Sequence, residues 1–275
     1  MMDFWTKHRY TILLIGIFVL ALGCRVIRYY ECDQLERDTF SYLHMAQHWA
    51  QEKSILAAYD KNINGYLSCP PLLPGVMALG EICGVGALTA GLWLNLFCGA
   101  VIPLLIYGLA LAIFRNRQLS IYAALLAAVQ PFALRLSALV MRDTPFVAAI
   151  ILALTCGVWA VRTGRLRYWA GFGIGAVLAS WCRKEGPELI VVFACWCGWE
   201  LWQGRTQWRA AWGRTFKAAG CVLTIFILGT MPLQIYLVRH SDCEWDIFNF
   251  DLLKVQYQKI MKSDFSQEYQ AHQKP

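Results

Sequence analysis

"LTAGLWLNLFCGAVIPLLIYGLALAIF", residues 88–114, contains no charged side chain and runs directly into Arg115-Asn116-Arg117. About 20 mostly apolar residues suffice for a helix to cross the hydrocarbon core of a bilayer. This stretch is long enough to cross, and the basic pair at its end marks a cytoplasmic flank. The rest of the chain has the same character. Of 275 residues, 58% are hydrophobic and only 16% charged, against about a quarter charged in soluble domains. Twelve Trp, twelve Tyr and fourteen Phe suit a protein with two membrane–water interfaces. These counts exclude an ordinary soluble enzyme and define a polytopic membrane protein.

Six further apolar stretches extend outward from this one: Tyr10–Ile27, Leu119–Val140, Thr144–Val161, Tyr168–Trp181, Leu189–Trp202 and Ala218–Val238. The expected fold is therefore all-α, a helical bundle of about seven transmembrane helices. The N-terminal "MMDFWTKHRYTILLIGIFVLALGC" has the basic start and apolar core of a signal peptide, and "ALGC" approaches a lipoprotein cleavage box. The spans that follow favour an uncleaved anchor. The fifth and sixth spans are short and are separated only by "CRKEGPE", residues 182–188, which reads as a tight polar turn.

Charge orients the bundle. With the N-terminus in the cytoplasm, the inner segments hold Lys7, Arg9, Arg115, Arg117, Arg162, Arg165, Arg167, Arg205, Arg209, Arg214 and Lys217, against only Asp3 and Glu200. Every other acid falls outside. This basic excess is the positive-inside signal, and it accounts for the net charge of +7 without nucleic acid as a partner. The chain then divides into a transmembrane module, residues 1–238 with an outer loop over 28–87, and a short outer tail, residues 239–275. Most of the eleven cysteines sit in apolar runs, where Cys acts as a small hydrophobe. Cys32 and Cys69 share the outer loop, and spacing leaves a disulfide between them open.

Two outer segments read as juxtamembrane helices. In "ERDTFSYLHMAQHWAQ", residues 36–51, the positions Asp38, Tyr42, Met45 and Trp49, with Leu35 before them, recur at helical spacing. "PPLLPGVMALGEICG", residues 70–84, opens on a Pro pair suited to a helix start and is too short to span.

Four stretches resemble the C-type-fold membrane glycosyltransferases, in the branch of the protein O-mannosyltransferases and the lipid A aminoarabinose transferase. "RDTFSYLHMAQ" looks like the first-loop acidic motif. "CPPLLPGVMALGEICG" looks like the Pro-Pro juxtamembrane helix. "LVMRDTPFVAAIILAL" looks like the second acidic position, and "GIGAVLASWCRKEGPELIVV" like the basic turn between two helices. The resemblance implies transfer of a sugar from a polyprenyl-phosphate donor to a lipid, glycan or protein acceptor. It implies an extracytoplasmic active face on a bacterial inner (plasma) membrane. The family often has a Lys just before the Pro pair, where this chain has Ser68 and Cys69. A non-catalytic scaffold is the alternative that this departure and the short chain keep open. A transporter would need polar residues along a path through the spans, and here they gather at one face.

Sugar transfer needs a carboxylate to take the acceptor's proton and cations to hold the departing phosphate. Asp38, on the apolar stripe, is the candidate base. The bland alternative is a solvated acid paired with Arg37. Asp143, beside Arg142 and before Pro145, is the supporting acid, or simply an acid in the first turn of a helix. Arg183 and Lys184 in the tight turn, and Arg135 within an apolar segment, are the donor-phosphate candidates. The competing reading for Arg183 and Lys184 is snorkelling to headgroups. His44 and His48 stand four apart with Glu52 four further on, a metal-ligand spacing that equally suits the polar face of an interfacial helix. A divalent metal stays open. Six residues separate Asp38 from His44, about 120° around a helix, so they would not share a ligand. "GFGIG", residues 171–175, lies inside a span and reads as small-residue helix packing rather than a nucleotide loop.

Overall fold

In the computed structural model, the described residues are 2–31, 36–59, 70–203 and 208–240. They form eleven helices and no strand. These are α1 (Met2–Tyr30), α2 (Arg37–Glu52), α3 (Ile55–Ala58), α4 (Leu72–Ile82), α5 (Ala87–Phe114), α6 (Arg117–Val129), α7 (Pro131–Ser137), α8 (Asp143–Thr163), α9 (Leu166–Cys182), α10 (Glu188–Gln203) and α11 (Trp208–His240). Both expected juxtamembrane helices are present as α2 and α4.

Four helices are long and apolar enough to cross a membrane, within Arg9–Tyr30, Ala87–Phe114, Asp143–Thr163 and Trp212–Leu237. The expected third span, Leu119–Val140, is broken. Its two pieces, α6 and α7, meet at a bend of 56° and count together as a fifth. Pro131 has no N–H to continue α6 and instead opens α7. By length and composition the described residues supply four or five spans, where seven were expected. The difference lies in α9 and α10, at 17 and 16 residues. At about 1.5 Å per residue they reach about 25 Å, short of the ~30 Å core.

Packing follows small residues. The longest interfaces join α8 to α9, α5 to α8, and α5 to α6. In "GFGIG" a Cβ on Gly171 would meet the Cys156 sulfur at 2.6 Å, and one on Gly175 would meet the Cβ of Ala153 at 2.8 Å. The backbones of α8 and α9 therefore touch at glycine, which is the packing role expected of this segment. One apolar cluster, with Trp169, Phe172, Phe193 and Phe226, joins α8 to α11. A second, with Tyr42, Met45, Met77 and Leu96, seats α2 and α4 against α5. The α4–α5 corner is closed by glycines at positive φ, Gly84 at 77° and Gly86 at 90°, a conformation that favours a residue without Cβ. The Glu81 carboxylate accepts the Ala87 N–H at 2.8 Å, which fixes α4 to the start of α5.

Candidate functional site at the acidic end of the bundle

The two ends of the bundle differ in charge. At one end, Arg9 and Arg117 lie over the Tyr10 ring, and Arg162 donates to the Ile113 carbonyl at 2.8 Å. At the other end, cations meet carboxylates.

That acidic end is built around Arg183. Its backbone N–H ends α9 on the Ala179 carbonyl at 2.9 Å. Gly186 then presses onto the last turn of α9, where an added Cβ would lie 2.2 Å from the Ser180 nitrogen. The turn between α9 and α10 is as tight as its sequence implied, and Gly186 is the reason it closes. It aims the Arg183 side chain at the first turn of α8. There Nη1 donates to the Asp143 carboxylate, while Nε and Nη2 donate to the two oxygens of Glu185, each at 3.2 Å. The guanidinium also lies 5.5 Å from the Phe146 ring centroid. The Asp143, Arg183 and Glu185 side chains keep 25%, 30% and 50% of their exposure, so the cluster is open to solvent on the Glu185 side.

This geometry perturbs the ionisation of the cluster. The hydrogen bonds that Arg183 donates to Glu185 raise Arg183 above its ordinary range against the opposing effect of burial, and Asp143 adds to the rise. Burial pushes Glu185 up, but the Arg183 hydrogen bonds and charge outweigh it, with help from Arg142, and the carboxyl lies below its ordinary 4.5. Both groups are held charged. Glu185 did not stand out in the sequence, where it reads as a turn acid among basic neighbours.

Asp38 sits exposed in the first turn of α2. Its neighbour Thr39 is buried and donates its hydroxyl to the Val140 carbonyl at 3.1 Å. Val140 precedes Asp143 by three residues, so the start of α2 is tied to the connection that delivers Asp143. No hydrogen bond or ion pair of the Asp38 carboxylate occurs among the described residues. Tyr42 and Met45 on the same stripe are buried and Trp49 is half-buried. Leu35, Cys32, Ser68, Cys69 and the tail from residue 241 lie outside the described residues.

The remaining cations separate. Lys184 is half-buried and forms no ion pair among the described residues. Arg135 lies on α7, beyond the break in the third apolar stretch. The break at Pro131 turns α7 aside, and Arg135 is exposed there. Among the described residues, Arg25 in α1 is the deeply buried arginine, at 0% exposure. Its Nη1 donates to the carbonyls of Ala21 at 2.8 Å and Ala128 at 3.2 Å. Ala128 belongs to the last turn of α6, where the helix break leaves carbonyls without helical donors, so Arg25 supplies one. Its Nε and Nη2, and Oδ1 of Asn95 on α5, are buried without partners. The sequence signal was available, an arginine inside a span, but Arg25 falls so near the end of that span that it reads as its edge.

His44 and His48 pair on the polar side of α2, Nε2 to Nε2 at 3.3 Å. Among the described residues no third His, Cys, Asp or Glu joins them as a metal-holding group. Eight cysteines among the described residues are free thiols.

Beside the α9 turn lies an apolar cavity of about 360 Å³, lined by Trp49, Pro71, Leu72, Gly75, Trp181 and Leu233 among others. It is bounded by α2, α4, α9 and α11, and Trp181 stands two residues before Arg183. Asp38 is at the far end of α2 from Trp49, about 16 Å along the axis.

An all-helical membrane bundle with paired acids and cations gathered at one end, next to an apolar cavity, defines a membrane protein with an interfacial polar site. The sequence profile of the dolichyl-phosphate-mannose-protein mannosyltransferase family matches residues 68–236, well over half of the chain, and the chain belongs to that family of membrane glycosyltransferases. No curated protein matches the chain. The matched region holds the Pro-Pro helix, Asp143 and the Arg183 turn, whereas Asp38 precedes it.

Proposed function

We propose that this protein transfers a sugar from a polyprenyl-phosphate donor to an acceptor at the extracytoplasmic face of the membrane. The observation that carries this reading is the meeting of the second acidic motif and the basic turn in one ion pair, Asp143 with Arg183, inside the region matched by the mannosyltransferase family. Asp38 takes the proton from the acceptor nucleophile. Its exposed position suits an acceptor arriving from water. Arg183 stabilises the departing phosphate and holds Asp143, which orients the acceptor. Lys184 and the exposed Arg135 are further cations for the phosphate side. The apolar cavity at Trp181 takes the first units of the polyprenyl chain and so brings the phosphate to the Arg183 turn. The basic end of the bundle faces the cytoplasm, because short cytoplasmic segments retain Lys and Arg.

The test is transfer of label from a radiolabelled polyprenyl-phosphate sugar in membranes containing the protein. Transfer that depends on the protein and is lost in Asp38→Asn supports the reading. Absence of transfer with every polyprenyl-phosphate sugar tried leaves a non-catalytic member of the family in its place.

A further inference from the structure

We infer that Glu185 is a resident anion in the phosphate fork of Arg183: it occupies the Nε/Nη2 edge until the carrier's phosphate displaces it, and returns to that edge when the product leaves. The inference rests on the polyprenyl-phosphate reading and adds a residue that sets how tightly the phosphate is held.

The geometry is that of a substitute ligand. A guanidinium presents Nε and one Nη as a planar fork that matches two oxygens of a carboxylate or of a phosphate. Glu185 fills that fork with both oxygens at 3.2 Å. Those contacts are long for charge-assisted bonds, which run about 2.7–2.9 Å, and the Glu185 side chain is half-exposed. They are therefore the weaker side of the cluster. The other edge of the guanidinium stays on Asp143 through Nη1, so the fork keeps its aim when Glu185 leaves. Glu185 leaves by side-chain rotation alone, because the next residue, Gly186, is pinned against α9. The cavity at Trp181 begins two residues from the fork.

A competing carboxylate serves the reaction at its end. The sugar-bearing donor is a phosphodiester with one negative charge. The released carrier is a monoester with about −1.5 to −2 at pH 7. An unopposed fork would hold the product more tightly than the substrate. Glu185 competes with both and lowers the affinity for each, which matters most for the more charged product.

The test uses the full chain in detergent and citronellyl phosphate, a short polyprenyl monophosphate, titrated by calorimetry. Glu185→Gln keeps the shape and removes the charge, and the probe should bind about fivefold tighter, the upper range for a half-exposed ion pair. Glu185→Asp keeps the charge on a shorter arm that cannot span the fork, and should give a smaller tightening. Both gains should vanish when Arg183→Ala is added. Citronellol, which lacks the phosphate, should bind all variants alike. Unchanged or weaker binding of citronellyl phosphate in both Glu185 variants overturns the inference. Equal tightening of dihexanoyl phosphatidylglycerol shows a general headgroup site and overturns the assignment to the carrier. Tightening without any sugar transfer by the wild type keeps the inference and removes the transferase reading. Transfer with no tightening does the reverse.

Discussion

The two ends of this bundle carry arginines in comparable number but use them differently. At the basic end, Arg9 and Arg117 lie on Tyr10, and Arg162 donates to a backbone carbonyl. Arg214 has a carboxylate partner, Glu200, at 2.9 Å, but its side chain is 62% exposed. Such contacts anchor a helix end at an interface and leave nothing poised for chemistry. At the acidic end, one guanidinium bridges two carboxylates from separate segments, with Gly186 forcing the turn and Thr39 tying in α2. The difference shows that a site is recognised by the partners of its cations, not by their number.

The comparison extends to the two arginines within apolar sequence, Arg25 and Arg135, and the largest expected effect falls there. Arg25→Ala removes a fully buried side chain and the donor to Ala128, and should cost on the order of 2–5 kcal/mol, as large-to-small changes in cores do. Arg135→Ala should stay within about 0.5 kcal/mol. Thermal unfolding of the detergent-solubilised protein measures both, and equal losses would remove the distinction.

Asp38→Asn should lower sugar transfer by roughly a hundredfold while the thermal midpoint is kept, since it removes basicity at constant shape. The matched change at the opposite end, Arg162→Ala, should leave turnover within twofold. A reversed outcome would place the chemistry at the basic end.

Arg183→Lys should keep part of the donor dependence that Arg183→Ala loses, about tenfold between the two, because Lys retains the charge without the fork. Steady-state KM for the donor reads this directly. Identical values for the two variants would mean that the fork geometry contributes nothing.

The smallest effect concerns pH. The Glu185 carboxyl is lowered in the folded protein, so its pairing with Arg183 stabilises fully above the unfolded carboxylate pKa. That contribution is lost only as pH falls through the lowered value, below 4.5. Between pH 6 and 8, wild type and Glu185→Gln should therefore show parallel stability curves. Curves that diverge within that range would show that another group controls the turn.

Much of this was legible in the chain itself. Length without charge marked residues 88–114 as a helix long and apolar enough to span, and α5 is that helix. The glycines of residues 171–175 read as a helix-packing surface, though not which helix they meet, and the Pro pair predicted α4. "CRKEGPE" announced a tight turn, because a Gly-Pro pair between two apolar runs leaves the backbone few other courses. Such features depend on residues close in sequence, where periodicity and local sterics decide the outcome. What only the tertiary structure decided are the pairings across sequence. Asp143 and Arg183 are forty residues apart and meet because α8 and α9 pack antiparallel at glycine. Arg25 reaches Ala128 across more than a hundred residues, and the bend that makes that carbonyl available also turns Arg135 out to the surface. Local sequence specifies each helix and its ends. Which buried cation finds which acceptor depends on how the helices pack, because a charge away from water is governed by its spatial neighbours rather than its neighbours in sequence.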